Sequence, residues 1–412
     1  MLDRRQLIKR LSALPFVGGL VGGSTPLAAA TTRATTAVAP RYRDYFAELG
    51  VRTFINAAGT YTAMTGSLLR DEAKEAYNYA AENYVMLDEL QDKVGERIAQ
   101  LLQCESATVS AGAFSAMTLG MAGVLTGMDP EKAAMIPHLE GTGMKSEVII
   151  QKAHNIGYAH AVRNCGVTIR EVETKAQLEQ AINDQTAMML FINAFEPDGK
   201  INAKDWLAVG KKHNIVCMND CAADVPPVEN LWKFTKMGYD LVCFSGGKGL
   251  RGPQSAGLLL GKKDLIAAAR LSAPPRGDTV GRGMKVNKEE VLGMWAALDA
   301  FVNGDQDKDW KLWEDQVAYI AEAVKPIAGV KTDIHVPPIA NHIPTLGVSW
   351  DTSKVKLSGD ELKEVLRGGH PSIEVAGGGE NSISITTWMM RPEQDKIVAS
   401  RLQQALSDAA AS

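Results

Sequence analysis

The chain has 412 residues, 45% hydrophobic and 22% charged, with a net charge of −4, which is a globular composition with enough length for one large core and a smaller companion. That balance gives no general attraction to nucleic acid, so no nucleic-acid partner is expected. No apolar run is as long as a membrane span, so no stable membrane anchor is expected either.

Residues 1–30 read as an export address. Arg4-Arg5-Gln6-Leu7-Ile8-Lys9 fits the twin-arginine pattern, Leu11 to Gly23 is mildly apolar, and Ala28-Ala29-Ala30 offers a small-residue cleavage site. A frayed amphipathic helix is the plainer alternative. The expectation is a periplasmic protein handed, already folded, to the twin-arginine export machinery. Residues 31–44 are a polar, Ala/Thr-rich linker, and Arg41 to Leu49 predicts a short helix stopped by Gly50. Phe54 to Thr60 is an extended segment running into small polar residues. Asp71 is placed to cap a helical region reaching towards Gln103 and broken near Met86 to Asp88; that pair of helices is a candidate dimer surface.

From Glu105 to Leu260 strand and helix patterns alternate. Ala107-Thr108-Val109 leads through Ser110-Ala111-Gly112-Ala113 into the helical run Phe114 to Leu125, a strand, turn and helix whose first amides can bind phosphate. Val148-Ile149-Ile150 is a buried strand followed by Lys152-Ala153-His154. Thr174 and Gln177 make a capping box, and Met188 to Ile192 is another buried strand.

Two further apolar runs, Ile215 to Met218 and Asp240 to Phe244, read as buried parallel strands and deliver Asp220 and Ser245-Gly246-Gly247-Lys248-Gly249. Ligands sit at the carboxyl ends of parallel strands, so Asp220 and Lys248 are candidates for one pocket. An acid and a lysine so placed point to pyridoxal 5′-phosphate. The lysine can form a Schiff base with the cofactor aldehyde, while the carboxylate keeps the pyridine nitrogen protonated and the ring electron-accepting. Ser245 is a candidate phosphate contact. The plainer reading is a Gly-rich turn carrying a solvated lysine. A phosphate-binding P-loop is excluded, because Val242 stands where its first glycine belongs and Gly249 where Ser or Thr follows the lysine.

Beyond Leu260, Arg276 to Lys288 is Gly-rich and basic. Amphipathic helices (Glu289 to Phe301, Trp310 to Val324) then alternate with short strands (Val330 to Val336, Leu346 to Trp350, Ser382 to Thr387), and Glu393 to Leu406 closes the chain as a helix. The expected division is a large α/β domain over 45–280 and a small C-terminal α/β domain over 281–412. Five scattered cysteines, mostly in apolar runs, read as buried thiols; Cys217 and Cys221 lack a second pair or a histidine cluster, so no metal site is expected.

These residues together resemble the fold-type-I pyridoxal-phosphate enzymes, and within them the group containing bacterial selenocysteine synthase and D-glucosaminate-6-phosphate ammonia lyase. The resemblance runs from about Tyr45 to the C-terminus. Its words are Leu49 to Thr60, Ser110-Ala111-Gly112, Asp220-Cys221-Ala222-Ala223 with Pro226-Pro227, and Ser245 to Lys248 followed by Gly252-Pro253-Gln254. It implies a mostly parallel central sheet, Lys248 as the Schiff-base lysine, Asp220 as the partner of the pyridine nitrogen, Ala222 under the ring and His154 stacked on its other face. It further implies phosphate contacts from Gly112, Ala113 and Ser245, and anion recognition by Arg282 and Lys285, with Asn56 and Thr60 the next substrate-binding candidates. A solvated basic loop is the alternative for Arg282 and Lys285. At least a homodimer is implied, since a second subunit completes the pocket mouth in the related enzymes.

The chain departs from selenocysteine synthase in lacking a substantial N-terminal tRNA-binding region and an arginine in the loop Met64 to Ser67. The expectation is therefore a lyase that eliminates a β-hydroxyl from an amino acid or amino-sugar acid and releases ammonia. A transferase, racemase or aldolase of the same group, or a non-catalytic relic, is the alternative.

Overall fold

A computed structural model describes residues 43–411. The proposed signal over 1–30 and all but the last two residues of the linker lie outside that range. Residues 43–51 belong to a unit of their own, in which Asp44 caps the one-turn helix Tyr45–Glu48 by accepting from the Ala47 amide at 3.0 Å. Gly50, at φ +69°, ends it as expected.

From Arg52 onward the strands are, in chain order, β1 (Phe54–Ala57), β2 (Ser106–Ser110), β3 (Glu147–Gln151), β4 (Thr168–Val172), β5 (Thr186–Ile192), β6 (Val216–Asp220), β7 (Leu241–Ser245), β8 (Gly257–Gly261), β9 (Val330–His335), β10 (Thr345–Trp350), β11 (Ser372–Gly377) and β12 (Ser382–Thr386). A seven-stranded sheet has the order β2, β8, β7, β6, β5, β3, β4. It is parallel except for β8, which runs antiparallel to both of its neighbours.

Strands β5, β7 and β8 are buried on both faces, which is why they read as unbroken apolar runs, whereas the edge strand β4 is largely exposed. Ile149, Met189, Phe191, Cys217, Val242 and Phe244 face one core, under the helices Leu87–Leu102, Ala203–His213 and Asn230–Met237. Their neighbours Val148, Ile150, Met188, Leu190, Met218 and Cys243 face the other, under the helices Gly112–Thr126 and Lys263–Leu271. The period-two alternation divides one hydrophobic run between two cores.

A second sheet of five strands, in the order β1, β11, β12, β10, β9, covers the helices Gln306–Val324, Gly359–Arg367 and Gln394–Ala411 with its own core. Here the structure corrects the expected division at 280/281 in two places. Phe54–Ala57 pairs in parallel with β11, because Ile55 and Ala57 complete the C-terminal core rather than the large one. The helix Lys288–Val302, expected in the small domain, instead buries Val291, Met294, Ala297, Leu298 and Phe301 in the large core against the helix Asp71–Ala81. Asp71 is also corrected: Arg70 occupies the N-cap without a side-chain bond, and Asp71 is the first helical residue, where its charge complements the helix dipole.

Candidate active site

The carboxyl ends of β5, β6 and β7 lie side by side, with Ile192 opposite Asp220 and Asp220 opposite Cys243. Register also aligns Ser110, Gly257 and Ser245 across β2, β8 and β7. Gly257 has to be glycine there, since a Cβ would stand 2.6 Å from the Gly112 carbonyl carbon and 2.7 Å from the Ala113 nitrogen. Without that side chain the start of the helix Gly112–Thr126 settles over the sheet beside Ser245. Gly112 turns into the helix at φ +86°, a conformation side-chain-bearing residues rarely adopt.

These elements enclose a cavity of about 230 Å³. Lys248, Asp220, Ala222, Ser245, Gly112 and Ala113, six of the residues expected from sequence, all line it, and so does Thr60. Asp220 is 5% exposed; its Oδ1 accepts from the Ala222 amide at 3.0 Å and from the Cys243 thiol at 3.6 Å. Burial holds the Asp220 carboxyl above its ordinary range, against the pull of the Ala222 amide, Lys248 and Cys243. Burial likewise lowers the Lys248 pKa, while Asp220 and Asp224 act to raise it, so the amine is more readily neutral and nucleophilic than a surface lysine.

The residues present fit pyridoxal 5′-phosphate. The helix Gly112–Thr126 opens on the cavity with no side-chain cap on its first amides, so those amides and Ser245 would hold a phosphate. The buried Asp220 carboxylate would gain a cationic N–H partner in the protonated pyridine ring, and small Ala222 leaves room beside it.

Other expected residues fall elsewhere. His154 is fully buried and lies outside the cavity lining, its ring set edge-on against Phe191 at 4.5 Å and its Nδ1 accepting from the Ile192 amide at 3.1 Å. Burial depresses its pKa to about 4, so it is a neutral core residue, and the expected ring stacking is corrected. The aromatic rings that do line the cavity are Phe114, Tyr158 and Phe195. Asn56 is consumed by its own turn: Oδ1 accepts from the Ala58 and Gly59 amides and Nδ2 donates to the Gly59 carbonyl, which sets the course of the chain into Thr60. Arg282 and Lys285 are exposed and lie outside the cavity lining of their own chain, since the segment between Gly281 and Val286 is anchored instead by burial of those two flanking residues.

Sequence reasoning missed Asp224, Tyr158, Phe195 and Gln254, which also line the cavity. Asp224 carried a signal, a second acid four residues after Asp220 in the same strand-end loop. The other three reach the cavity through 3-10 turns and a loop that have no periodic signature. Among the described residues no group of three or more His, Cys, Asp or Glu could hold a metal ion, and no helix is long and apolar enough to cross a membrane.

Comparison with known proteins bears on this site. A family model described as SelA, L-seryl-tRNA selenium transferase, matches residues 54–312. D-glucosaminate-6-phosphate ammonia lyase of Salmonella typhimurium is 29% identical over 341 residues, 80% of this chain and 88% of that protein. A solved structure of D-glucosaminate-6-phosphate ammonia-lyase aligns with a TM-score of 0.78 at 26% identity, covering 89% of this chain and 99% of that one. The structure of SPT with PLP shares the fold, with a TM-score of 0.54 at 13% identity over 85% of this chain and 87% of that one.

Proposed function

This chain belongs to the SelA, L-seryl-tRNA selenium transferase, family, and from that premise we propose that it is a pyridoxal 5′-phosphate-dependent lyase removing ammonia from an amino-sugar acid or related 2-amino-3-hydroxy acid. The observation that carries the proposal is the convergence of the Lys248 amine, the buried Asp220 carboxylate and an uncapped helix N-terminus on one small cavity. Pyridoxal phosphate, when bound, supplies an electron sink conjugated to the substrate's α-carbon. Asp220 would keep the ring nitrogen protonated, and the amides of Gly112 and Ala113 with the Ser245 hydroxyl would anchor the phosphate. Lys248 Nζ, held more readily neutral by burial and so free to accept a proton, takes the α-proton. The apolar walls from Phe114, Met117 and Ile192 exclude water from that transfer.

The test is release of ammonia and a 2-keto acid across a panel of 2-amino-3-hydroxy acids, including D-glucosaminate with and without its phosphate. Turnover of at least one member is expected; racemisation or aldol cleavage in place of ammonia release would overturn the lyase reading.

Two further proposals concern place and assembly. The Arg4-Arg5 motif supports export to the periplasm by the twin-arginine machinery, where an unphosphorylated substrate is favoured. Arg4→Lys with Arg5→Lys should strand the precursor in the cytoplasm, and export that persists would refute the proposal. Exposed Tyr79, Tyr84, Val85 and Met86, on and between the helices Asp71–Ala81 and Leu87–Leu102, support a homodimer through that surface. Light scattering that gives a monomer mass would refute it.

A further inference from the structure

Asp220 and Lys248 account for cofactor binding and removal of the α-proton, but not for Asp224, the other acid of the cavity. Asp224 is 1% exposed and lines the same space as Lys248. Its backbone is fixed from both sides, its amide donating to the Cys221 carbonyl at 3.1 Å and its carbonyl accepting from Asn230 Nδ2 at 2.7 Å. Oδ1 accepts from Asn193 Nδ2 at 2.7 Å, whereas Oδ2 is buried with no hydrogen-bond partner. The Ala340 backbone N–H faces the carboxyl but completes no bond to Oδ2. A buried carboxyl oxygen without a partner is costly unless it carries a proton or awaits a ligand atom.

Resting on the lyase reading, we propose that Asp224 is the acid that protonates the departing β-hydroxyl. Hydroxide is a poor leaving group, so elimination requires a proton at that oxygen as the C–O bond breaks. The Oδ2–H proton passes to the β-oxygen, the C–O electron pair leaves with that oxygen, and water departs. The electrons of the α-C–H bond become the new C=C bond, and the α-proton stays on Lys248. Asp224, now a carboxylate, recovers a proton from the Lys248 ammonium or from water, which closes the cycle without an external oxidant or reductant.

Two surrounding features suit the role. Asn193 holds one oxygen, which orients the other. Burial first, and the Asp220 charge second to it among the raising influences, push the Asp224 pKa up to about 6, against the Asn193 bond, the Ala340 backbone and Lys248. The titratable groups facing it are Asp220, Cys221, Cys243 and Lys248, and both thiols are held protonated by burial.

The test uses pyridoxal-phosphate-loaded wild type and Asp224→Asn, with whichever 2-amino-3-hydroxy acid the wild type turns over and with 3-chloroalanine, whose chloride departs without a proton. Ammonia release from the hydroxy acid should fall roughly 100-fold or more in Asp224→Asn. Release from 3-chloroalanine, exchange of the α-proton in D₂O and visible absorbance should change less than about threefold. In wild type, which needs no variant, release from the hydroxy acid should decline as pH rises through about 6 while release from 3-chloroalanine does not decline in parallel. Equal losses on both substrates, parallel pH profiles, or a shifted cofactor absorbance would overturn the assignment. Wild type that exchanges the α-proton and eliminates chloride but releases ammonia from no hydroxy acid would overturn the lyase reading itself, a distinguishable result.

Discussion

Glu374 in the five-stranded sheet and Asp224 after β6 in the seven-stranded sheet are both buried acids, at 8% and 1% exposure, yet their surroundings are built to opposite ends. Glu374 accepts a two-pronged bond from Arg367, Nε to Oε1 at 2.8 Å and Nη2 to Oε2 at 2.9 Å, and Arg52 stands 3.8 Å away. Both of its oxygens are satisfied within the chain, so it ties β11 to the helix Gly359–Arg367. Asp224, a residue of the cavity lining, has one satisfied oxygen and one buried orphan. Burial alone therefore does not mark a functional acid; incomplete pairing beside an open volume does.

The comparison breaks most readily at Lys248. Replacing it by Ala should lower ammonia release by roughly 10⁴-fold while leaving the urea midpoint close to wild type. A collapse of stability with activity would make the cavity a structural element like Glu374.

His154 sharpens the comparison from the structural side. Its pKa is depressed to about 4, so it contributes stability fully present above the unfolded value of 6.5 and lost as pH falls through about 4. That interval of 2.5 pH units, at about 1.4 kcal/mol each, amounts to roughly 3.5 kcal/mol. Chemical denaturation between pH 7 and 4 should show this loss in wild type and a flatter acid limb in His154→Gln, with turnover changed only modestly in the variant. Large loss of turnover at unchanged acid stability would return His154 to the site.

Glu374→Gln should cost roughly 1.5–3 kcal/mol in urea unfolding, because Arg367 loses its charged partner, and leave ammonia release unchanged. Arg282→Ala has the smallest expected effect, within about 0.5 kcal/mol on both stability and substrate affinity, since the exposed side chain lies outside the cavity lining. A tenfold loss of affinity would bring that loop to the cavity of a second subunit.

What the sequence disclosed and what it withheld have physical causes. Strands β5 to β7 were legible because burial on both faces makes them continuous apolar runs, and a parallel sheet delivers its strand ends to one edge; Asp220, Lys248 and Ser245 followed from that alone. The capping box at Thr174 and Gln177 was local, and the structure contains it. His154 was misplaced because a position after a strand does not say on which side of the chain the ring packs, and Phe191 and the Ile192 amide took it inward. The home of Phe54–Ala57 was not legible because its partner, β11, lies more than three hundred residues away in sequence. Asn56 looked like a ligand residue, but its amide is spent on the turn that presents Thr60.

The most direct test of the central claim is to reduce the purified protein with borohydride and map the peptides by mass. The account predicts a pyridoxyl-phosphate adduct on Lys248 and on no other lysine, with the visible absorption bleached in step. An adduct on another lysine, or none in protein that binds pyridoxal phosphate, would contradict it.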